Sequence, residues 1–180
     1  LEYRGYDSAG VAILHDGLVK RVRAEGKLKN LEAKLQGENF NGHLGIGHTR
    51  WATHGAPSER NAHPHQVGDI SLVHNGIIEN FEEIREELLK QGAKINSDTD
   101  SELVAHLICI ENKKTKNLLS AVQNILPRLV GAFSIVVFSE DQPEEIVAFK
   151  DGPPLVVGIL PDQLFVASDV QALLPYTQNF

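Results

Sequence analysis

The chain has 180 residues, of which 42% are hydrophobic, and it carries a formal charge of −7 at pH 7. This length suits one domain with a complete hydrophobic core, and the apolar fraction argues against disorder. The acidic balance gives no support to binding of nucleic acid or of an anionic membrane, and the single cysteine excludes a disulfide within the chain.

The beginning of the sequence is unusual. The chain contains no Met and opens on Leu1-Glu2-Tyr3-Arg4, so we expect that its first residue marks a cut and not an initiator. The sequence shows no signal peptide and no apolar run of about 18 residues, which predicts a cytoplasmic location and no membrane span.

The predicted elements begin with a β-hairpin. Residues 11–14 and 18–22 are short apolar runs, and the Asp16-Gly17 step between them is typical of a two-residue hairpin turn. Leucines at helical spacing over residues 28–35, followed by Gly37, predict a short surface helix.

The middle of the chain is predicted to be mainly helical. Residues 70–74 favour a strand that ends at Asn75-Gly76, and the apolar face of residues 80–90 predicts an amphipathic helix. A further helix is expected to begin with Ser97 or Thr99 as its N-cap, and another to run over residues 117–126.

The last third of the sequence favours strands. Short runs rich in β-branched and aromatic residues, separated by turn-forming residues, predict an antiparallel meander over residues 132–138, 145–149, 155–160 and 164–167. Strands at both ends of the chain with helices between them predict a layered α+β domain with two sheets.

A dense polar cluster is the most informative feature of the sequence. It comprises Gly47-His-Thr-Arg-Trp-Ala-Thr-His-Gly55, Asn61-Ala-His-Pro-His65 and His74-Asn-Gly76. These segments contain an Arg, the only Trp and several His beside apolar runs, with few Lys or Asp that would indicate a solvated face. The cluster therefore predicts a ligand site.

The Asn75-Gly76 step has two interpretations. A Gly backbone N–H and an Asn side-chain amide that converge can stabilise a developing oxyanion, an effect of about 3 to 4 kcal/mol per donor in acyl transfer. Alternatively, Asn-Gly is the sequence of a type I′ turn. The segment that follows is typical of a loop and a helix, not of a pairing strand, which favours the functional interpretation.

Arg50 and Asp100 have the chemistry to hold an amino acid by its α-groups. A guanidinium binds a carboxylate through two parallel hydrogen bonds, and a carboxylate receives an ammonium. The alternatives are a surface ion pair for Arg50 and a helix-terminal acid for Asp100. Sequence alone does not show that the two side chains face each other.

Other candidate groups favour structural roles. The spacings of the histidines match no metal-binding pattern, so hydrogen-bonding roles are expected and no metal or cofactor is predicted. Cys109 lies in an apolar helical stretch and is interpreted as a core residue. Gly45-Ile46-Gly47 lacks the setting of a dinucleotide fingerprint and receives no role. Residues 4–10 are either a functional loop or an ordinary loop before a strand.

Five segments match a known pattern in order along essentially the whole chain: Glu2-Tyr-Arg-Gly-Tyr-Asp-Ser-Ala-Gly10, Gly47 to Gly55, Asn61 to His65, His74-Asn-Gly-Ile-Ile-Glu-Asn80 and Ser97-Asp-Thr-Asp100. They resemble the glutaminase domain of the glucosamine-6-phosphate synthase family, the glutamine–fructose-6-phosphate aminotransferases (isomerizing). Related amidotransferases such as amidophosphoribosyltransferase share some of these elements, but Trp-Ala-Thr-His-Gly and Asn-Ala-His-Pro-His are similar to the glucosamine branch.

The resemblance implies an N-terminal-nucleophile hydrolase fold, a four-layer αββα sandwich of two antiparallel sheets. It also implies that an N-terminal Cys attacks the side-chain amide of L-glutamine, and that ammonia leaves before water releases glutamate. In the parent enzyme this ammonia converts fructose 6-phosphate to glucosamine 6-phosphate. The implied partners are a sugar isomerase domain of the same polypeptide and a second copy in a homodimer.

The resemblance further assigns site residues. Asn75 and Gly76 match the oxyanion donors, while Arg50 and Asp100 match the groups that hold the α-carboxylate and α-ammonium of glutamine. The residues that match pocket-lining or supporting positions are Trp51, Thr53, His54, His63, His74 and Arg4.

The chain also departs from the family pattern. The family's nucleophile segment, a strand and a helix on the order of 20 residues, is missing, as is the sugar isomerase domain, and Cys109 does not match the nucleophile. We therefore expect residues 1–180 to form one glutamine amidotransferase type-2 domain, without its first strand and most of its first helix. This domain is expected to keep the glutamine pocket but to be inactive by itself.

Two other function classes stay open at this point. One is a non-catalytic module that binds glutamine or glutamate, and the other is a His-dependent metallohydrolase. The glutaminase domain of a related amidotransferase is a third alternative, within the same class as the main hypothesis.

Overall fold

The computed structural model describes residues 5–180. The strands are β1 (Ser8–His15), β2 (Leu18–Glu25), β3 (Leu44–Arg50), β4 (His65–Val67), β5 (Ile70–Ile78), β6 (Gly131–Ser139), β7 (Gln142–Asp151), β8 (Val156–Ile159) and β9 (Leu164–Ala167). The helices are α1 (Leu28–Leu35), α2 (Phe81–Lys90), α3 (Asp100–Thr115) and α4 (Leu118–Ile125). None of the helices in residues 5–180 has the length and apolar character needed to cross a membrane.

Two antiparallel sheets lie face to face, with strand orders β2-β1-β3 and β4-β5-β6-β7. Leu14 and Ile46 of the first sheet share a buried cluster with Val136 and Phe138 of the second. This apolar layer joins the two sheets, as in other sandwiches.

Helices cover the outer faces of both sheets. Leu31 of α1 packs against Ala9 and Ala24 of the first sheet. Helices α2, α3 and α4 cover the opposite face of the second sheet, where Leu107 and Ile135 belong to a large buried cluster. The resulting order of helix, sheet, sheet and helix confirms the predicted αββα sandwich.

Local sequence accounts for several of these elements. Asp16 and Gly17, between β1 and β2, have φ values of 51° and 78°, as a two-residue hairpin turn requires. The Thr99 hydroxyl accepts a hydrogen bond from the Glu102 N–H at 3.4 Å and caps α3. All four predicted strands of the last third form, but β8 and β9 pair only with each other and do not extend the larger sheet.

One strand had no prediction, and one sequence-based expectation is wrong. Gly45-Ile46-Gly47, which was set aside only as a dinucleotide fingerprint, lies within β3 and pairs with β1. Strand β5 does not end at Asn75-Gly76 but continues to Ile78 in register with β6, so the step is no turn and the residues after it still pair. Glycine-containing segments have weak strand preference, and only a neighbouring strand that completes the ladder makes them extended.

The layer between the sheets gives a stability prediction. Phe138 is fully buried there, so Phe138→Ala should lower the free energy of unfolding by about 3 to 5 kcal/mol, through lost apolar contact and a residual cavity. Urea unfolding of the purified chain measures this. Phe180→Ala is the matched control, because Phe180 is 50% exposed, and its effect should stay near 0.5 kcal/mol. Equal effects of the two changes would contradict the assignment of this layer as core.

Candidate functional site

A cavity of about 360 Å³ opens where β3 and β5 meet the beginning of α3. This volume lies within the range of small-molecule sites. Its lining residues are Gly5, His48, Thr49, Arg50, Trp51, Thr53, His54, His63, His74, Asn75, Gly76, Thr99, Asp100, Ser101 and Ser168.

Strand β3 supplies two of these side chains through simple alternation. Leu44 and Ile46 point into the layer between the sheets. Because successive side chains of a strand alternate between faces, His48 and Arg50 point the same way and reach the cavity where the apolar layer ends. The dismissed glycine segment is thus the part of the chain that positions Arg50.

Strand β5 places two of the cavity-lining residues on opposite faces. His74 faces α3, where its Nδ1 lies 2.9 Å from the Ser101 Oγ. Asn75 faces the first sheet, where its Oδ1 lies 2.9 Å from the His48 Nε2. One uninterrupted strand therefore contributes a side chain to the side of the cavity next to α3 and another to the side next to the first sheet.

Gly76 occupies a position that no other residue can take. Its φ is +120°, and a Cβ atom there would lie 2.1 Å from the backbone oxygen of Ala132 on β6. Such a contact is far inside van der Waals distance. The close approach of β5 and β6 therefore requires glycine beside Asn75.

Asp100 lies at the first turn of α3 and is only 3% exposed. One of its carboxylate oxygens accepts a hydrogen bond from the Ile78 N–H at 2.9 Å, and the other accepts one from the Ser101 hydroxyl at 3.2 Å. An ionised carboxylate has about four acceptor positions. Asp100 thus keeps capacity for a further donor in the cavity.

Arg50 is buried at 4% exposure, so the alternative of a surface ion pair is wrong. Its Nη2 donates to the backbone oxygens of His54 and of Gly55, the latter at 3.1 Å. Its Nη1 lies 3.6 Å from an Asp7 carboxylate oxygen and forms no hydrogen bond with the described residues. Burial lowers the pKa of Arg50, while the charges of Asp7 and Asp100 raise it.

Ser101 joins several polar side chains of the site. Its hydroxyl lies 3.0 Å from the His63 Nε2, 2.9 Å from the His74 Nδ1 and 3.2 Å from an Asp100 oxygen. A hydroxyl has one proton to donate and two lone pairs to accept. Donation to the Asp100 carboxylate therefore requires that both imidazoles donate to Ser101.

His48, His63 and His74 of the cavity, and the neighbouring buried His65, are neutral near pH 7. Burial lowers the pKa of His48 to about 4 and that of His65 to about 3, and it lowers the pKa of His63 well below its ordinary value. Burial likewise lowers the pKa of His74, against the charge of Asp100. Desolvation of the imidazolium is the main cause in each case. Within residues 5–180, no group of three or more His, Cys, Asp or Glu is arranged to hold a metal ion.

A loop after β3 forms the outer wall of the cavity. Trp51 is 71% exposed, and its ring lies against Gly5, where a Cβ atom would come within 2.7 Å of the ring. Asp7 accepts a hydrogen bond from the Ala52 N–H and donates its own N–H to the Arg50 backbone oxygen at 2.8 Å. Gly5 and Asp7 thus both contact the segment that forms the outer wall of the cavity.

The structure brings most of the predicted site residues together. Those that line the cavity are Arg50, Trp51, Thr53, His54, His63, His74, Asn75, Gly76 and Asp100. Arg4 lies outside the described residues. Arg50 and Asp100 both line this cavity, which agrees with the expectation that they share one site. Sequence alone could not show this.

Sequence reasoning left some lining residues without a role. His48 and Thr49 belong to the polar cluster, and Ser101 follows Asp100. A sequence-based assignment of β3 as a strand and of α3 as a helix would have placed these side chains beside Arg50 and Asp100. Ser168 follows β9, far along the chain from the cluster, and carries no local signal.

Cys109 is separate from the cavity. It lies eight residues after Ser101 on α3, which is about 12 Å along a helix axis. It is buried, its Sγ lies 3.7 Å from an Asp69 carboxylate oxygen, and burial raises the pKa of its thiol. These properties confirm a core residue and oppose a thiolate nucleophile.

Comparison with known proteins shows the family of this chain. A family model described as a glutamine amidotransferase domain matches residues 48–175. The chain is 52% identical over 179 residues to a glutamine–fructose-6-phosphate aminotransferase (isomerizing) of Brucella suis biovar 1 (strain 1330), and 50% identical to one of Rhizobium meliloti (strain 1021). These matches cover 99% of this chain and 30% and 29% of the two relatives, so the chain spans about a third of their length.

Solved structures show the same fold. Glutamine phosphoribosylpyrophosphate amidotransferase from B. subtilis, complexed with ADP and GMP, superposes with a TM-score of 0.78 at 28% identity, over 96% of this chain and 38% of that one. A glutamine aminotransferase class-II domain protein from Silicibacter pomeroyi has a TM-score of 0.60 at 18% identity, over 88% and 78% of the two chains, which shows likeness of fold alone. Because the family model matches well over half of its residues, the chain belongs to the glutamine amidotransferase domain family.

Proposed function

We propose that residues 1–180 form one glutamine amidotransferase domain that binds L-glutamine in this cavity. In the parent enzyme, hydrolysis of the glutamine amide supplies ammonia for conversion of fructose 6-phosphate to glucosamine 6-phosphate. The observation that carries the proposal is the placement of Arg50, Asp100 and the Asn75-Gly76 pair around one cavity. The 52% identity to a glutamine–fructose-6-phosphate aminotransferase supports the choice of acceptor.

Arg50 and Asp100 are proposed to hold the two charged α-groups of glutamine. The Nη1 of Arg50 has no hydrogen bond from the described residues, so its N–H groups can bind the α-carboxylate. Asp100 has unused acceptor positions for the α-ammonium. These two fixed groups and a third contact, to the side-chain amide at Asn75 and Gly76, together select an L-amino acid, because the D-enantiomer would direct its side chain elsewhere.

Asn75 and Gly76 are proposed to act on the side-chain amide. A thiolate that attacks the amide carbon forms a C–S bond and pushes negative charge onto the amide oxygen, which two N–H donors would stabilise. The C–N bond then breaks, ammonia leaves with a proton from the nucleophile's general base, and water releases glutamate from the thioester. By family resemblance the thiolate belongs to an N-terminal Cys and not to Cys109.

The alternative functions have weaker support. A non-catalytic glutamine-binding module would use Arg50 and Asp100 but would have no need of a paired oxyanion site. An amidophosphoribosyltransferase glutaminase shares the fold, yet the identity of 28% to the B. subtilis enzyme is well below the 52% to the aminotransferase.

The α-group assignment gives a binding prediction. Asp100→Asn keeps a hydrogen-bond acceptor but removes the charge, so the affinity for L-glutamine should fall at least about tenfold. Isothermal titration calorimetry of the purified chain measures this. Asp16→Asn is the matched control, because Asp16 lies in the exposed β1–β2 turn. Unchanged glutamine affinity in a folded Asp100→Asn chain would refute the assignment.

A second prediction separates binding from hydrolysis. A polypeptide limited to residues 1–180 should bind L-glutamine without releasing ammonia, because its only thiol is buried on α3. Cys109→Ala should leave glutamine affinity unchanged. A glutamate dehydrogenase-coupled ammonia assay tests the first point, and ammonia release that Cys109→Ala abolishes would disprove it.

Because the buried histidines are neutral, we predict that the free energy of unfolding decreases as the pH becomes acidic. Below the ordinary His pKa of about 6.5, the unfolded chain binds protons that His48, His63 and His65 do not bind when folded. The contribution of these histidines to the free energy of unfolding is therefore fully present above that pH. It is lost as the pH falls toward their pKa values in the folded chain, which are about 4 for His48 and about 3 for His65. Each such group contributes a slope of roughly 1.4 kcal/mol per pH unit.

Urea unfolding at pH 7.5, 6.5 and 5 measures this slope. His65→Gln, which removes one titrating group, should make the slope shallower, whereas the same change at exposed His43 should not. A midpoint that is constant from pH 7.5 to 5 would show that these imidazoles are not kept neutral by burial.

A further inference from the structure

We infer that His48 is a positioning residue that holds the carboxamide of Asn75 with its NH₂ group toward the cavity. The inference rests on the proposed function, since it concerns the orientation of one of the two proposed oxyanion donors. From the sequence, His48 received only the general expectation of a hydrogen-bonding histidine and no assigned partner.

The orientation of Asn75 needs such a partner. The oxygen and nitrogen ends of a carboxamide have nearly the same shape, so packing alone does not distinguish them, and only hydrogen bonds do. A reversed carboxamide would present an oxygen to the substrate oxygen and repel it. In the structure, the Oδ1 of Asn75 is held 2.9 Å from the His48 Nε2. The Nδ2 consequently points away from His48, and no hydrogen bond between described residues occupies it.

The protonation of His48 determines which end it binds. Burial lowers the pKa of His48 to about 4, so the ring is neutral at physiological pH and has one N–H. With that proton on Nε2, the ring donates to Asn75 Oδ1. The Nδ1 then is an acceptor, which is buried without a hydrogen-bond partner among the described residues. The opposite tautomer would leave a buried N–H without an acceptor, which is rarer in folded proteins.

The ring of His48 is itself held in place. It lies against the His63 ring, with centroids 4.3 Å apart, and the His63 Nε2 is 3.0 Å from the Ser101 Oγ. Ser101 belongs to α3. A continuous set of contacts therefore runs from the helix that carries Asp100 to the strand residue that carries the amide donor.

The test compares ligands that differ only at the end of the side chain. L-Glutamine and L-norvaline have the same α-groups, but L-norvaline has no oxygen for Asn75 to bind. NMR titration of the 180-residue chain should show that His48→Phe weakens L-glutamine binding by about fivefold, the loss expected for one hydrogen bond. L-Norvaline affinity should change by less than about twofold, since the α-groups are bound by Arg50 and Asp100.

Two further variants test that His48 acts through Asn75. His48→Gln places an amide N–H near the position of Nε2 and should restore most of the glutamine affinity. In an Asn75→Leu background, His48→Phe should cause no additional loss, because the group it orients is gone. Additive losses in the double variant would overturn the inference.

The outcomes separate the inference from the proposed function. If the unaltered chain does not bind L-glutamine, the proposed function fails. If it binds and His48→Phe has no effect, or weakens L-norvaline equally, His48 does not orient Asn75. Should His48→Phe fail to fold, nitrogen-15 spectra of the unaltered chain still decide, because protonation of His48 at Nδ1 in place of Nε2 would overturn the inference.

Discussion

The close approach of β5 and β6 at Gly76 is the constraint on which the site depends. Because a Cβ atom at this position would lie 2.1 Å from the Ala132 oxygen, only glycine lets β5 continue in register past Asn75. Continuous strand geometry then sends His74 toward α3 and Asn75 toward β3. If the chain turned at this step, as an Asn-Gly pair often does, these two side chains could not face the two halves of one cavity.

The polar interior of the site carries little charge, and His48, His63 and His74 each bond through one ring nitrogen while the other has no partner among the described residues. Removing an imidazolium from water is costly, so burial keeps His48, His63 and His65 neutral. Neutral imidazoles can pack ring against ring and still bond to hydroxyl and amide partners. Arg50 and Asp100, which line the same cavity, are the side chains proposed to bind the two α-groups of the ligand.

Much of the architecture was visible in the sequence. The hairpin at Asp16-Gly17, the amphipathic helices and the late strands follow from turn chemistry and hydrophobic period, which act over a few residues. The strand β3 was missed because Gly45 and Gly47 weaken its local preference, and its pairing with β1 depends on residues thirty or more positions away. Lack of a local preference is not evidence against a strand when a partner completes the ladder.

The amino-acid sequence alone specifies which chemical groups are available: one thiol, a cluster of histidines, an Arg, an Asp and an Asn-Gly step, in an order similar to one amidotransferase family. Their arrangement in space follows from the tertiary fold. It placed Arg50 and Asp100 at one cavity, bonded His48 to Asn75, and made Ser101 the shared partner of two imidazoles. These contacts join residues that are distant in sequence. Sheet register and helix packing therefore determine them, and a short-range sequence pattern predicts neither the register nor the packing.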